Sequence, residues 1–178
     1  IKFDKKNYLD WTVGVYNTGL SNQTGSRIKK LQNTLNLKKK NDFFLMTYGD
    51  GLCDININTL IKFHKKHNKI ATVTAVRPPA RFGYLDINGN IVKNFKEKEK
   101  SHEGWINGGY FVLSSKIFDY LNENEDCVFE NEPMEKLSED GQLMAYKHEG
   151  FWQCMDTKRD HEYLNNLELK KEQFFKND

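Results

Sequence analysis

The sequence predicts an α/β protein with a mixed, mostly parallel sheet flanked by helices and an antiparallel β addition. Three observations carry this. Up to residue 76, segments of strand composition alternate with segments of helical periodicity, the pattern of parallel strands joined by crossover helices. Two of the strand segments, "NDFFLMTY" and "IATVTAV", are short continuous apolar runs, as expected of strands covered on both faces. Beyond residue 80 the alternation stops, and "GYLDINGNIVKNFKEK" shows two alternating runs about an Asn-Gly turn, which is hairpin chemistry.

Each element follows from its residues in order. Residues 11–17, "WTVGVYN", are rich in β-formers and run into Thr18-Gly19, so a strand and a turn are expected there. In "TGSRIKKLQNTLNL", Ile28, Leu31 and Leu35 recur at three- and four-residue spacing, which predicts an amphipathic helix. "NDFFLMTY" is a buried strand bounded by Asp42 and Gly49. "NINTLIKFHKKHNK" places Ile57, Leu60, Ile61 and His64 on one helical face, with Asn56 or Asn58 as the cap. "IATVTAV" is a second buried strand, and "WINGGYFVLS" a further one with a glycine pair at its start. "SKIFDYLN" and "EPMEKLSED" read as short helices, and "QLMAYKHEGFWQCMD" as a strand pair or bent strand. The last helix spans "DTKRDHEYLNNLELKKEQFF", with Leu164, Leu167 and Leu169 facing inward.

The 178 residues suit one domain, and at 38% hydrophobic they suffice for a core. A formal charge of +2, from 27 basic and 25 acidic residues of mixed order, argues for neither a nucleic-acid surface nor a membrane surface, and neither partner is expected. The basic clusters "KKLQNTLNLKKK" and "KFHKKHNK" read as solvated helix faces. Three cysteines, far apart and without a CxxC, argue against a disulfide framework and a structural zinc, and for a reducing, cytoplasmic setting. No apolar run approaches the ~18 residues of a membrane span. The chain starts at Ile1 rather than Met, which reads as a piece of a longer protein.

In an open α/β sheet, ligands bind beyond the carboxyl ends of the strands. Asp50, in "TYGDGLCDIN", sits just past such an end, between Gly49 and Gly51. It could hold a divalent metal shared with a substrate phosphate, or merely supply a turn hydrogen bond. Asp156, in "FWQCMDTKRD", also follows an apolar segment; it could join Asp50 on one Mg²⁺, or cap the last helix. Two cations are placed to meet an anionic substrate: Lys98, in "NFKEKEK", and Arg27, at the helix start "TGSR". "NTGLSNQTGSR" has the look of an anion-binding turn, but the P-loop spacing is absent and the residues alone favour an ordinary capped helix start. His64 and His67 form an H-x-x-H without an evident third metal ligand. Trp105, Phe151 and Trp152 read as core or pocket wall, and Glu97 beside Lys98 as a surface pair.

Taken together, "TYGDGLCDIN", "TAVRPPARFGYLDI", "FKEK", "INGGYFVL" and the long "FENEPMEKLSEDGQLMAYKHEGFWQCMDTKRD" resemble the glucose-1-phosphate cytidylyltransferases, a branch of the sugar-phosphate nucleotidyltransferase superfamily. The resemblance runs in order from about Trp11 to near the C-terminus. It implies a Rossmann-like nucleotidyltransferase fold, the substrates CTP and glucose 1-phosphate, and Mg²⁺ as cofactor. It implies CDP-glucose and pyrophosphate as products, a place in nucleotide-sugar supply for O-antigen and lipopolysaccharide, and a homo-oligomer. It also implies residue roles. Asp50 and Asp156 match the metal ligands, Lys98 the group that holds the sugar phosphate, and Arg27 the group on the nucleotide phosphates. Gly49 matches a substrate-contacting backbone position, and Glu97, Asn107 and Gly108 match the sugar pocket.

The sequence departs from the family pattern in places. E-K-P reads "EKEK", with Glu99 for proline; D-T-G reads Asn17-Thr18-Gly19; T-G-G-R reads Thr24-Gly25-Ser26-Arg27. The Gly-rich segment with which the family begins has no counterpart before Asp10. Residues 1–178 are therefore expected to be the C-terminal two-thirds of the domain, retaining sugar and metal groups while lacking most of the CTP site, and inactive alone. The alternatives are a sugar-1-phosphate pyrophosphorylase using UTP or dTTP, and a non-catalytic sugar-phosphate-binding module.

Overall fold

The computed structural model describes residues 13–35, 43–78, 84–96 and 104–169. Its elements run α1 (Thr24–Thr34), β1 (Phe43–Thr47), β2 (Gly51–Cys53), α2 (Ile57–His67), β3 (Ala71–Val76), β4 (Tyr84–Asn88), β5 (Ile91–Lys96) and β6 (Ile106–Ser114). A 3-10 turn (Ser115–Asp119), α3 (Glu132–Glu139), β7 (Leu143–His148), β8 (Trp152–Cys154) and α4 (Lys158–Leu169) complete them.

Four strands form the main sheet, in the order β1-β6-β3-β7. β1, β3 and β7 run one way, and β6 runs against them between β1 and β3. The sheet is thus mixed, as expected: most strands share a direction, but only β3 and β7 are parallel neighbours. β6 organises the core because its side chains alternate between two covered faces. Phe111 and Leu113 join Phe118, Phe129 and Leu137 on one side, where Ile28 of α1 and Met134 of α3 pack. Val112 joins Cys53, Ile55 and Leu60 of α2 on the other, against Phe43, Tyr110, Tyr146 and Trp152. Two-sided burial is why β3 reads as a continuous apolar run, whereas β1, at the end of the sheet order, is only half-buried and leaves Leu45 exposed, so the buried strand expected at "NDFFLMTY" is corrected.

The glycine pair at the start of β6 has a structural cause. Between Val73 and Ala75 of β3 the register jumps from Phe111 to Asn107, so three residues of β6 face a single one. This bulge passes through Gly109 at φ +79°, a left-handed backbone that favours glycine. A Cβ at Gly108 would lie 2.8 Å from Val76 Cγ1 and 3.0 Å from the Thr74 carbonyl.

Other expectations are met or corrected locally. The strand predicted for residues 11–17 is not formed in its described part, 13–17, where Val13 and Val15 are exposed; residues 11 and 12 lie outside the described residues. A strand needs a ladder partner, and β-forming composition alone does not provide one. α1 turns Gly25 and Ser26 inward rather than Leu35, which is exposed. Asn56 caps α2, accepting from Thr59 N at 2.9 Å. The hairpin loop is Gly89-Asn90, one residue later than the Asn-Gly reading, with positive φ at Gly89. β7 and β8 are not partners: β7 pairs with β3, whereas β8 pairs with β2. Leu164 and Leu167 are half-buried in α4, and the side chain of Leu169 lies outside the described residues.

Candidate active site

The short ladder between β2 and β8 brings two distant carboxylates together. Gly51 pairs with Cys154 and Cys53 with Trp152, and one step beyond, Met155 N donates to the Asp50 carbonyl at 2.8 Å. Asp50 and Asp156 therefore leave the ladder at the same end, and both line a cavity of about 380 Å³. Tyr48, Asn107, Gly108, Gly109, Trp152 and Cys154 are among its other walls.

Asp156 is relieved of the helix cap that its position invited. Thr157 and Asp160 build that cap reciprocally: Thr157 Oγ1 accepts from Asp160 N at 3.2 Å, and Asp160 Oδ2 accepts from Thr157 N at 3.0 Å. Gly49 and Gly51 have ordinary φ, and a Cβ on Gly49 would meet nothing within 4 Å. The fold itself does not demand glycine at 49, so the clearance beside Asp50 is open space. Gly108 differs: its neighbours leave no room for a side chain, and its carbonyl accepts from the Trp152 indole N–H at 2.8 Å.

Arg27 stands apart from this cavity. Its Nε donates to the Asn22 carbonyl at 2.7 Å and its Nη1 to Thr18 Oγ1 at 2.8 Å, tying down its own preceding loop. Two of the first N–H groups of α1 are taken within the chain. The Cys127 carbonyl takes Gly25 N at 2.9 Å and Ser26 N at 3.2 Å, so the ordinary helix start is the one observed. Lys98 and Glu97, and the departure at Glu99, lie outside the described residues.

The H-x-x-H pair is structural. His64 Nδ1 and His67 Nε2 both reach Thr72 Oγ1, at 2.8 and 2.7 Å, and burial pulls His64 down to about 4 and lowers His67 as well. Among the described residues one trio, Cys53, Asp54 and His148, has potential ligand atoms within 4.8 Å of one another. Two of them are engaged at the β7–β8 turn, where Asp54 Oδ1 accepts from Phe151 N and from His148 Nε2, each at 2.8 Å.

Sequence reasoning missed two residues at this site. Tyr48 looked like the end of an apolar strand, yet it forms a cavity wall. Its hydroxyl donates to Glu130 Oε1 at 2.5 Å, and burial together with Glu130 raises the phenol far above its ordinary value. Glu130 carried no local signal, because its partners are 82 and 106 positions away.

Comparisons with known proteins show the family and the fold. A family model described as "Nucleotidyl transferase" matches residues 11–164. The chain is 46% identical over 157 residues to the glucose-1-phosphate cytidylyltransferase of Salmonella typhimurium, covering 88% of this chain and 60% of that protein. It is 29% identical over 174 residues to the mannose-1-phosphate guanyltransferase of Saccharomyces cerevisiae, covering 94% of this chain and 46% of that one. The crystal structure of HddC from Yersinia pseudotuberculosis superimposes with TM-score 0.56 at 23% identity, covering 84% of this chain and 63% of that one, and shows the shared fold. The chain thus spans about 60% of the length of the cytidylyltransferase it matches.

Proposed function

The chain belongs to the nucleotidyl transferase family, and from that premise we propose that the whole protein makes CDP-glucose and pyrophosphate from CTP and α-D-glucose 1-phosphate. The observation that carries the proposal is the meeting of Asp50 and Asp156 at one cavity through the β2–β8 ladder, in a chain 46% identical to a glucose-1-phosphate cytidylyltransferase. A phosphate oxygen of the sugar phosphate forms the new bond to the α-phosphorus of CTP. The α–β bond breaks, and its electron pair leaves with pyrophosphate.

The chain's own groups have mainly to position and neutralise. Two carboxylates beside open backbone make a hard, all-oxygen donor set with room for further oxygen ligands, which suits Mg²⁺. Bound there, Mg²⁺ supplies charge neutralisation for the nucleotide phosphates. Asp50 and Asp156 would hold it, and Gly49 would leave clearance for a phosphate. Asn107 would bind sugar hydroxyls, and Gly108 would let the sugar ring approach the sheet. In the same reading Lys98 and Glu97 hold the sugar phosphate and sugar, and Arg27 contacts the nucleotide phosphates on releasing its loop. We place the protein in the cytoplasm, as a homo-oligomer supplying nucleotide sugar for O-antigen synthesis, with no nucleic-acid or membrane partner. Among the described residues no helix is long and apolar enough to cross a membrane.

A competition assay decides the assignment. The whole protein, given glucose 1-phosphate, Mg²⁺ and equal CTP, UTP, dTTP and GTP, should form CDP-glucose in excess of the other products. Dominant UDP- or dTDP-glucose would move the protein to another branch of the family. Sugar-phosphate binding without turnover would make it a binding module.

A further inference from the structure

A half-buried carboxylate outside the cavity ties together the segments that build it. Glu130 precedes α3, and each of its oxygens accepts one hydroxyl: Tyr48 Oη at 2.5 Å and Thr24 Oγ1 at 2.7 Å. Thr24 is the first residue of α1, and its Oγ1 also accepts from Phe129 N at 2.9 Å. Tyr48 directly precedes Gly49 and Asp50.

The hydrogen-bond polarity of this network is determined. A hydroxyl has one hydrogen, and an ionised carboxylate only accepts. With its hydrogen committed to Glu130, Tyr48 must act as acceptor toward Asn107, whose Nδ2 lies 3.2 Å away. Gly109 N donates to Asn107 Oδ1 at 2.8 Å from the other side. The amide of Asn107 is thereby held in a single orientation on the cavity wall, two hydrogen bonds from Glu130.

We propose that Glu130 is a positioning residue for the sugar 1-phosphate: through Tyr48 it sets the orientation of Asn107, and through Tyr48 and Thr24 it holds the Asp50 turn against α1. This rests on the function proposed above. Glu130 does not line the cavity, so it acts through the groups it holds. A fixed amide offers a sugar hydroxyl one donor-acceptor pattern, whereas a released amide flips and offers two. The consequence falls on sugar binding and on discrimination between sugar epimers.

Two measurements on the whole protein test this. The first needs no substrate: amide exchange at Gly109 and across residues 48–52, in wild type and E130Q. Glutamine keeps the shape of Glu130 but supplies one acceptor oxygen for two hydroxyls. The result expected is exchange faster by about tenfold at those amides, with the melting temperature and the amides of β3 unchanged. Unchanged exchange at Gly109 overturns the proposal, whatever the substrate proves to be. The second is kinetic. E130Q and Y48F should each raise KM for glucose 1-phosphate by about tenfold, leave KM for CTP within about twofold, and combine without further loss. Additive losses, or equal effects on both substrates, count against it. A wild-type protein that turns over another nucleotide or sugar phosphate refutes the assignment of substrates, and the exchange result then decides Glu130 alone.

Discussion

At the scale of single residues, the two aspartates face one cavity, where the proposed function puts the chemistry, and the glycines around them divide into two kinds. Asp50→Asn and Asp156→Asn should each lower turnover by about a hundredfold or more, with little change in melting temperature, since both side chains are exposed at the cavity. Near-normal turnover of either variant under saturating Mg²⁺ would remove that residue as a metal ligand. Gly49→Ala should fold normally and lose activity, because open space surrounds the position. Gly108→Ala should instead unfold at lower temperature, because its Cβ would meet Val76 and the Thr74 carbonyl. Thermal melts paired with activity separate the two. His64 makes a pH prediction. Its folded value of about 4 lies below the ordinary 6.5 of an unfolded chain, so the unfolded state binds more protons between these values. Stability should be full above about pH 6.5 and fall by on the order of 3 kcal/mol as pH drops toward 4. Urea melts across that range check this, and the slope should shrink in His64→Gln.

At the scale of elements, local chemistry explains where helices begin, and only partners explain which strands form. Asn56 and the Thr157–Asp160 pair cap their helices by rules that operate over three residues. Thr157→Ala should destabilise the protein by about 1 kcal/mol in denaturant melts while leaving the proposed metal site at Asp50 and Asp156 in place. A large loss of Mn²⁺ affinity in that variant would mean that α4 orients Asp156. The cap on Asp156 was a reasonable reading of "MDTKRD" because aspartate and threonine are both good caps. The geometry assigns it to Thr157, since Asp160 three residues later can answer its backbone N–H. The failed strand at 13–17 shows the other limit: Val13, Val15 and Tyr16 are strand formers that stay exposed.

At the scale of the whole molecule, β6 joins the two halves of the core, and Phe111 is its most consequential side chain, 1% exposed on the face shared with Phe129 and Leu137. Phe111→Ala should cost about 3–5 kcal/mol by calorimetry, a loss that reaches the cavity wall because the same strand carries Asn107. The alternation of helices and strands from α1 to β3, the Asn56 cap on α2, the hairpin and the two aspartates at strand ends were legible from the chain. Each depends on periodicity or on neighbours a few residues apart. The reversed direction of β6, the β2–β8 ladder that unites Asp50 with Asp156, and the Glu130 network were not. They rest on hydrogen bonds between residues remote in sequence, such as the ladders of β6 with β1 and β3, Met155 to Asp50 and Thr24 to Glu130. A backbone amide carries no record of its partner in its own residue type. By itself the sequence determined which carboxylates and cations this protein has to offer a metal and a phosphate. The tertiary structure alone decided which of them share a cavity, because chain folding, not local propensity, sets distances between remote residues.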